Sequence, residues 1–212
     1  MITLKPSIAP ATRKTAVELL AAHLKGDDET VIMPRDGIEA LYKYFLPTPP
    51  KKAKTAAQWV AKAVADKKDV REYLRYVYSD GEHLVATDGH RIHWIKTNDY
   101  PAGYYCPKSL ERVDYDAKYP DWKRASQGTD TPEDLASYSL GDLPLHPQEY
   151  NKKTYCYHVL KSKDGEDVGV DSRYLDAAIN GDKTVQLSIG GPKDIIKGIN
   201  EFGNFVVMPF RI

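Results

Sequence analysis

Long apolar runs and cysteines are scarce in this sequence, and each scarcity argues against particular classes of protein. No run among the 212 residues approaches the roughly 18 apolar residues of a membrane-spanning helix. The first residues, Met-Ile-Thr-Leu-Lys-Pro, lack the apolar stretch of a signal peptide. The two cysteines, Cys106 and Cys156, fit no zinc-binding spacing. We therefore expect a cytoplasmic protein whose thiols are reduced.

The sequence also lacks an excess of charge of either sign. It has 30 Lys and Arg against 30 Asp and Glu, so its formal net charge is zero. Residues 1–125 hold 21 basic and 17 acidic side chains, a net charge of +4, and residues 126–212 hold 9 and 13, a net charge of −4. This mild asymmetry argues against a tight nucleic-acid binder, which has a strongly basic face. It allows loose contact with DNA through a few lysines.

Motifs for the common enzyme chemistries are missing as well. The sequence contains neither G-x-G-x-x-G nor the P-loop, and it has no G-x-S-x-G nucleophile turn. Asp88, His90 and His93 invite a metal site, but residues three apart on a strand point to opposite faces. The two histidines therefore cannot readily share one ion. We expect a protein that is not an enzyme and has no cofactor and no metal.

The periodicity of the apolar residues predicts an α+β fold. Hydrophobic residues make up 42% of the chain and charged residues 28%, which is ordinary for a globular protein. Helical spacing predicts helices at 10–25, 37–45 and 55–66. A further helix is predicted from a cap at Asp171 or Ser172 to about Ile179, where Asn180-Gly181 ends it. Alternation or short apolar runs predict strands at 1–5, 30–33, 71–78, 82–87, 90–96, 154–161, 168–170, 184–189, 194–199 and 204–211. Residues 97–150 show few periodic runs, and 126–143 are typical of a loop.

Turn signals organise these elements into a repeated order. Asp80-Gly81 and Asp88-Gly89 predict tight turns between strands, because glycine tolerates positive φ. The helix at 55–66 is followed by three strands, and the strand at 168–170 is followed by a helix and three strands. The pattern predicts a βαβββ order that occurs twice, without a repeat in the sequence itself.

Three regions of the chain, 58–92, 119–124 and 205–212, together resemble one protein family. Residues 70–74 read Val-Arg-Glu-Tyr-Leu, and residues 86–92 read Ala-Thr-Asp-Gly-His-Arg-Ile. Residues 119–124 read Tyr-Pro-Asp-Trp-Lys-Arg, and residues 205–212 read Phe-Val-Val-Met-Pro-Phe-Arg-Ile. In the same order, these segments resemble the VR-x-YL and ATDGHRL strands, the FPDYRR link and the terminal YVVMPMRL of the bacterial β sliding clamp. That family is the processivity subunit of DNA polymerase III.

The resemblance implies clamp-like βαβββ repeats, with antiparallel sheets and with helices on one face. It also implies a hydrophobic cleft that binds short linear peptides of DNA polymerases and repair proteins. A few apolar anchors in a preformed groove would supply affinity, and arginine and backbone groups would supply orientation. Carried over residue by residue, the cleft uses Thr87, Gly89, His90, Arg91, Ile92, Pro120, Arg124, Val207, Met208, Pro209, Phe210 and Arg211.

The resemblance further implies two clamp-like domains, one at 1–122 similar to the family's central domain and a shortened C-terminal one at 123–212. Family rings contain six domains, so chains of two domains would close a ring as a homo-trimer around duplex DNA. The cell would be bacterial or phage-infected. Non-specific contacts to DNA would come from Arg13, Lys14, Lys54, Lys62, Lys67 and Lys68.

A second hypothesis keeps the cleft and gives up the ring. Between Ile95 and Tyr119 the family has a further strand–helix–strand unit, for which this chain has only residues 96–118. Residues 126–165 match the family's C-terminal domain weakly. A chain shortened in this way would be a non-encircling adaptor or decoy that captures clamp-binding segments or competes with a host clamp.

Overall fold

The computed structural model of the chain describes residues 51–126, 135–139, 145–150, 153–182, 184–210 and 212. The chain divides into two compact units, Met1–Thr48 and Pro49–Ile212, and the described residues belong to the second. The elements predicted before residue 51, and with them the DNA-contact candidates Arg13 and Lys14, lie outside the described residues.

Antiparallel strands form most of this unit. The described strands are β1 Val77–Ser79, β2 His83–Thr87, β3 Arg91–Lys96, β4 Gly103–Tyr105, β5 Arg112–Val113, β6 Ala136–Ser139, β7 Leu145–Tyr150, β8 Lys153–Lys161, β9 Asp167–Asp171, β10 Thr184–Ser188, β11 Ile196–Ile199 and β12 Asn204–Val207. Nine of them make one sheet in the order β5-β4-β1-β2-β3-β12-β11-β10-β6, and β7-β8-β9 make a second. A single bridge between Gly169 and Phe210 connects the end of the chain to β9.

The centre of the larger sheet is a pairing between segments distant in sequence. Strand β12 pairs with β3 in the register Val206↔Ile92 and Val207↔Arg91. On its other side, β3 pairs with β2 in the register Thr87↔Ile92. The last strand therefore lies beside the β2–β3 hairpin, whose two strands are connected by the sequence Thr-Asp-Gly-His-Arg.

Three helices accompany the sheets among the described residues: α1 Ala56–Val60, α2 Trp122–Ala125 and α3 Ser172–Ile179. Each begins at a side-chain cap, because a hydroxyl or carboxylate oxygen before the helix accepts a free backbone N–H. The caps are Thr55, Asp121 and Asp171. Helix α3 ends at Asn180 in the left-handed region, φ +55°, as the Asn-Gly pair predicts. None of these helices is long and apolar enough to cross a membrane.

The two faces of the larger sheet have separate apolar cores. Helices α1 and α3 cover one face, where Leu84, Ala86, Phe205 and Val207 are buried, and the Trp59 indole N–H donates to the carbonyl of Ala178 at 2.8 Å. On the other face, Val85, Ile92, Trp94 and Val206 pack with Trp122 of α2. The predicted α+β fold with antiparallel sheets is confirmed. The two helices of the repeats share a face, and the short α2 lies on the opposite one.

The predicted strand at 71–78 is wrong over most of its length. Residues Glu72–Arg75 form a 3-10 turn, and β1 begins only at Val77. A side-chain hydrogen bond accompanies this turn, since Arg75 Nε donates to the main-chain oxygen of Asp69 at 2.8 Å. An extended chain from 69 to 75 would hold these two residues too far apart for this bond. The helix predicted at 55–66 is also shorter, because α1 ends at Val60 and a 3-10 turn at Ala61–Ala63 follows.

Strands and a helix are also present in the segment 97–150, where the sequence has few periodic apolar runs. Strands β4, β5, β6 and β7 and helix α2 all lie within 97–150. Strands from both sides of residue 122 belong to the nine-stranded sheet. The division into domains 1–122 and 123–212 stays a prediction.

Candidate functional site

The turn between β2 and β3, Thr87–Arg91, is built around the side chain of Asp88. One carboxylate oxygen accepts the backbone N–H of His90 at 2.8 Å and of Arg91 at 3.1 Å. The other accepts Arg91 Nε at 3.0 Å. Gly89 has φ +91°, a conformation that favours glycine. Asp88 therefore organises the turn Thr-Asp-Gly-His-Arg from within, and we call this segment the hairpin turn.

The segment Val206–Phe210, called the tail, lies directly beside the hairpin turn. Beyond the ladder of β12 and β3, the backbone N–H of Met208 donates to the carbonyl oxygen of His90 at 2.8 Å. The predicted meeting of the hairpin turn and the tail is thus present in the structure, through Arg91, Ile92, Val207 and Met208.

Solvent exposure of the side chains changes sharply where the hairpin turn meets the tail, a place that we call the junction. Thr87, Ile92 and Val207 are buried within the sheet. Met208 is 47% exposed, and the His90 side chain is 60% exposed. An apolar and an aromatic side chain are therefore exposed next to buried residues from both faces of the sheet.

The segment Tyr119–Ser126, called the link, borders the site through its central tryptophan. Trp122 packs in the same core as Ile92 and Val206, with its ring 5.8 Å from that of Trp94. Pro120 and Arg124 are exposed on either side of it. The structure therefore brings the link next to Ile92 and Val206 through Trp122, and it leaves Pro120 and Arg124 on the surface.

The tail turns away from the hairpin turn after Met208. The backbone N–H of Phe210 donates to the carbonyl of Gly169 on β9 at 2.7 Å, and the Phe210 ring stacks on Tyr157 at 5.3 Å. Pro209 is half-buried between these two attachments. Phe210 therefore lies on the smaller sheet, and Arg211 lies outside the described residues.

Tyr174 on α3 also contacts the hairpin turn, and no sequence motif indicates this. Its ring stacks on His90 with a centroid distance of 5.8 Å, and the guanidinium of Arg91 lies 5.0 Å from the ring centre. Burial raises the pKa of the Tyr174 hydroxyl, and Asp88 adds to this effect. Only the packing of α3 against the sheet brings Tyr174 here, so no local signal could have identified it.

The basic residues predicted to contact DNA differ in how exposed their side chains are and in whether they are already hydrogen-bonded. Lys62 Nζ donates to the side-chain oxygen of Asn180 at 2.7 Å. Burial lowers the pKa of Lys62, and the positive charges of Arg91 and Lys52 lower it further. The other described candidates, Lys54, Lys67 and Lys68, are exposed.

The two histidines of this region lie in different environments. His93 is buried and stacks on Trp59 at 4.5 Å, and burial lowers its pKa to about 3. His90 is at the surface with Asp88. Across the described part of the chain, no group of three or more His, Cys, Asp or Glu side chains could hold a metal ion.

Solved structures of bacterial DNA polymerase sliding clamps are similar to this chain. The sliding clamp of Pseudomonas aeruginosa is 15% identical with a TM-score of 0.47, over 85% of this chain and 70% of that one. The DNA polymerase III β subunit of Thermotoga maritima is 16% identical with a TM-score of 0.45, over 88% and 73%. The β clamp of H. pylori in complex with diflunisal is 14% identical with a TM-score of 0.47, over 80% and 70%.

A scan against protein-family models finds no match, and a search of curated proteins finds none either.

Proposed function

We propose that this protein is a clamp-like processivity factor for DNA replication that binds linear peptides of DNA polymerases or repair proteins at the junction of the hairpin turn and the tail. One observation carries the proposal. Met208 and His90, which are joined by a main-chain hydrogen bond of 2.8 Å, are both exposed beside buried residues of the sheet. The chemistry suits an apolar peptide anchor, because methionine adapts its shape to varied ligands.

The proposed site extends over the residues named from the sequence. Thr87, Gly89, Arg91, Ile92 and Val207 would adjoin the His90 and Met208 side chains. At the borders of the site would lie Pro120, Arg124 and Pro209, whereas Phe210 lies on the smaller sheet. Such a protein would act in the cytoplasm of a bacterial or phage-infected cell, without catalysis of its own.

Peptide binding is tested with a fluorescently labelled clamp-binding peptide from a polymerase, by fluorescence polarisation. The double variant His90→Ala/Met208→Ala should bind at least about 30-fold more weakly, since two anchor side chains together contribute about 2 kcal/mol or more. The matched control is Arg112→Ala/Val113→Ala on β5, at the far edge of the sheet, which should bind like the wild type. Equal affinity of both double variants would contradict the proposed site.

The ring and the adaptor are distinguished by mass. A trimer of the 23.9 kDa chain has a mass of about 72 kDa in light scattering, and a closed ring would stay on circular DNA while leaving linear DNA. Exposed Lys54, Lys67 and Lys68 would supply weak phosphate contacts, so changing all three to alanine should reduce retention most at low salt.

One observation favours the adaptor. Lys62, one of the DNA-contact candidates, is half-buried, and its ammonium donates to the side-chain oxygen of Asn180 at 2.7 Å, which reduces its availability as a phosphate ligand. A monomer that binds the peptide with and without DNA would establish the adaptor or decoy and exclude the ring.

A further inference from the structure

A segment outside the sheet is connected to the hairpin turn by one arginine. Arg71 precedes the 3-10 turn Glu72–Arg75, and its Nη2 donates to the main-chain carbonyl oxygen of Asp88 at 2.9 Å. Asp88 is the residue whose carboxylate shapes the turn. Arg71 thus holds the outer peptide group of the turn, which the strand ladder ending at Thr87↔Ile92 does not reach.

The guanidinium of Arg71 is itself held in place by Asp69. Arg71 Nε donates to Asp69 Oδ1 at 2.9 Å and Nη2 donates to Oδ2 at 2.8 Å, and the backbone N–H of Arg71 donates to Oδ1 at 2.9 Å. These bonds keep the pKa of the Asp69 carboxyl well below its usual range. A two-point contact between arginine and carboxylate fixes the guanidinium plane, which a lysine cannot do.

Gly89 leaves the space that this guanidinium occupies. A Cβ atom at residue 89 would lie 2.7 Å from Arg71 Nη1, which is closer than van der Waals contact allows. The glycine therefore has two roles, since it adopts φ +91° and admits Arg71 against the turn. His90 and Gly89 stand at the exposed edge of the site, next to this contact.

We infer that Arg71, fixed by Asp69, is a positioning residue that keeps the hairpin turn in its peptide-binding shape before any peptide arrives. The inference rests on the proposed function, in which this turn is one wall of the site. A site whose binding-competent shape is populated only part of the time loses affinity in proportion to that fraction. Arg71 raises the fraction by bonding to the turn in the free protein.

The experiment compares Arg71→Ala, Arg71→Lys and Asp69→Asn in the full chain. The matched control is Arg112→Ala, because Arg112 Nη2 also donates to a main-chain carbonyl, that of Ala102, at 3.1 Å, on the distant strand β5. The first measurement is polarisation with the labelled polymerase peptide. The second is the backbone mobility of Gly89 and His90 in the peptide-free protein, from NMR order parameters.

We expect Arg71→Ala to weaken peptide binding about 5- to 10-fold and to increase the mobility of Gly89 and His90. Arg71→Lys and Asp69→Asn should have smaller effects in the same direction, and Arg112→Ala none in either measurement. Wild-type affinity and unchanged mobility in Arg71→Ala would overturn the inference. If Arg71→Ala does not fold, Arg71→Lys and Asp69→Asn decide by the same two measurements.

Failure of the proposed function gives a different result. If the wild type binds no clamp-binding peptide, the peptide site is wrong, and the mobility of Gly89 and His90 alone decides whether Arg71 holds the turn. Increased mobility in Arg71→Ala would then support the positioning role, and unchanged mobility would exclude it.

Discussion

The turns Ser79–His83 and Thr87–Arg91 have the same internal chemistry and opposite surroundings. In each, a hydroxyl oxygen accepts the glycine N–H at 3.0 Å. In each, the Asp carboxylate accepts the next two backbone N–H groups, at 3.0 and 2.8 Å in the first and at 2.8 and 3.1 Å in the second. Gly81 has φ +96° and Gly89 has φ +91°. The two turns therefore share the same set of local hydrogen bonds.

The difference lies in what covers them. His83 of the first turn is buried against Trp122 of α2, and Lys123 forms an ion pair with Asp80 at 3.1 Å. At the hairpin turn, His90 is 60% exposed, and its neighbours are the tail and Tyr174. The link therefore buries the histidine of the first turn, whereas the histidine of the hairpin turn stays exposed although Tyr174, the tail and Arg71 contact that turn.

The largest expected effect follows from uncovering the first turn. Trp122→Ala removes a buried indole between His83 and Trp94, so we expect unfolding to become easier by about 3–5 kcal/mol. Urea unfolding followed by circular dichroism measures this change. The control Arg124→Ala, on the same helix but exposed, should stay within about 0.5 kcal/mol. A loss below about 1 kcal/mol in Trp122→Ala would mean that α2 does not stabilise this face.

Substituting the glycine of each turn should have an intermediate effect on stability, and the size of the effect should differ between the two turns. Both Gly81→Ala and Gly89→Ala place a side chain at positive φ, which costs about 1–2 kcal/mol. A Cβ at residue 81 meets only Ala102 Cβ at 4.0 Å, whereas at residue 89 it displaces Arg71. Gly89→Ala should therefore destabilise more in thermal unfolding and should also weaken peptide binding. Equal values in both assays would show that Arg71 moves aside at no cost.

The smallest expected effect concerns the acid behaviour of the first turn. Burial disfavours ionisation of Asp80, but hydrogen bonds from the backbone N–H groups of Glu82 and His83, with Lys123, outweigh it and lower the pKa of the carboxyl. Because the folded pKa is below the unfolded value of about 3.9, this stabilisation is present above about pH 4. It is lost as the pH falls through the folded pKa.

Asp80→Asn should therefore cost about 1 kcal/mol at pH 7 and progressively less below pH 4, in urea unfolding measured across pH. Asp114→Asn, an exposed position, should show no such dependence. A pH-independent difference between Asp80→Asn and the wild type would assign the effect to shape instead of charge.

The parts of the fold that follow local rules were predictable. The Asp-Gly pairs placed β2 and β3 within one residue at each end, and Asp171 and Asn180-Gly181 bounded α3. The 3-10 turn Glu72–Arg75 was not predictable, because Leu74, Tyr76 and Tyr78 alternate as in a strand while Asp69 and Arg75 determine the backbone. Two-residue and three-residue strands such as β5 and β4 are too short to show a period.

Sequence motifs predicted the segments of the candidate site but not the residues that tertiary packing brings to it. The resemblance named the hairpin turn and the tail, and their pairing is present. Tyr174 and Arg71 were missed as site residues because they reach the turn through tertiary packing and one side-chain hydrogen bond. Phe210 was grouped with the hairpin turn, although its backbone is bound to Gly169.

The pairing of β12 with β3 also bears on the order in which the site forms. The hairpin β2–β3 closes over a few residues, a process of microseconds. Joining Val206 to Ile92 requires closing a loop of more than a hundred residues, and such long-range strand pairing is slow. During refolding the turn should therefore exist well before its partner strand arrives, and recovery of peptide affinity should lag behind recovery of secondary structure.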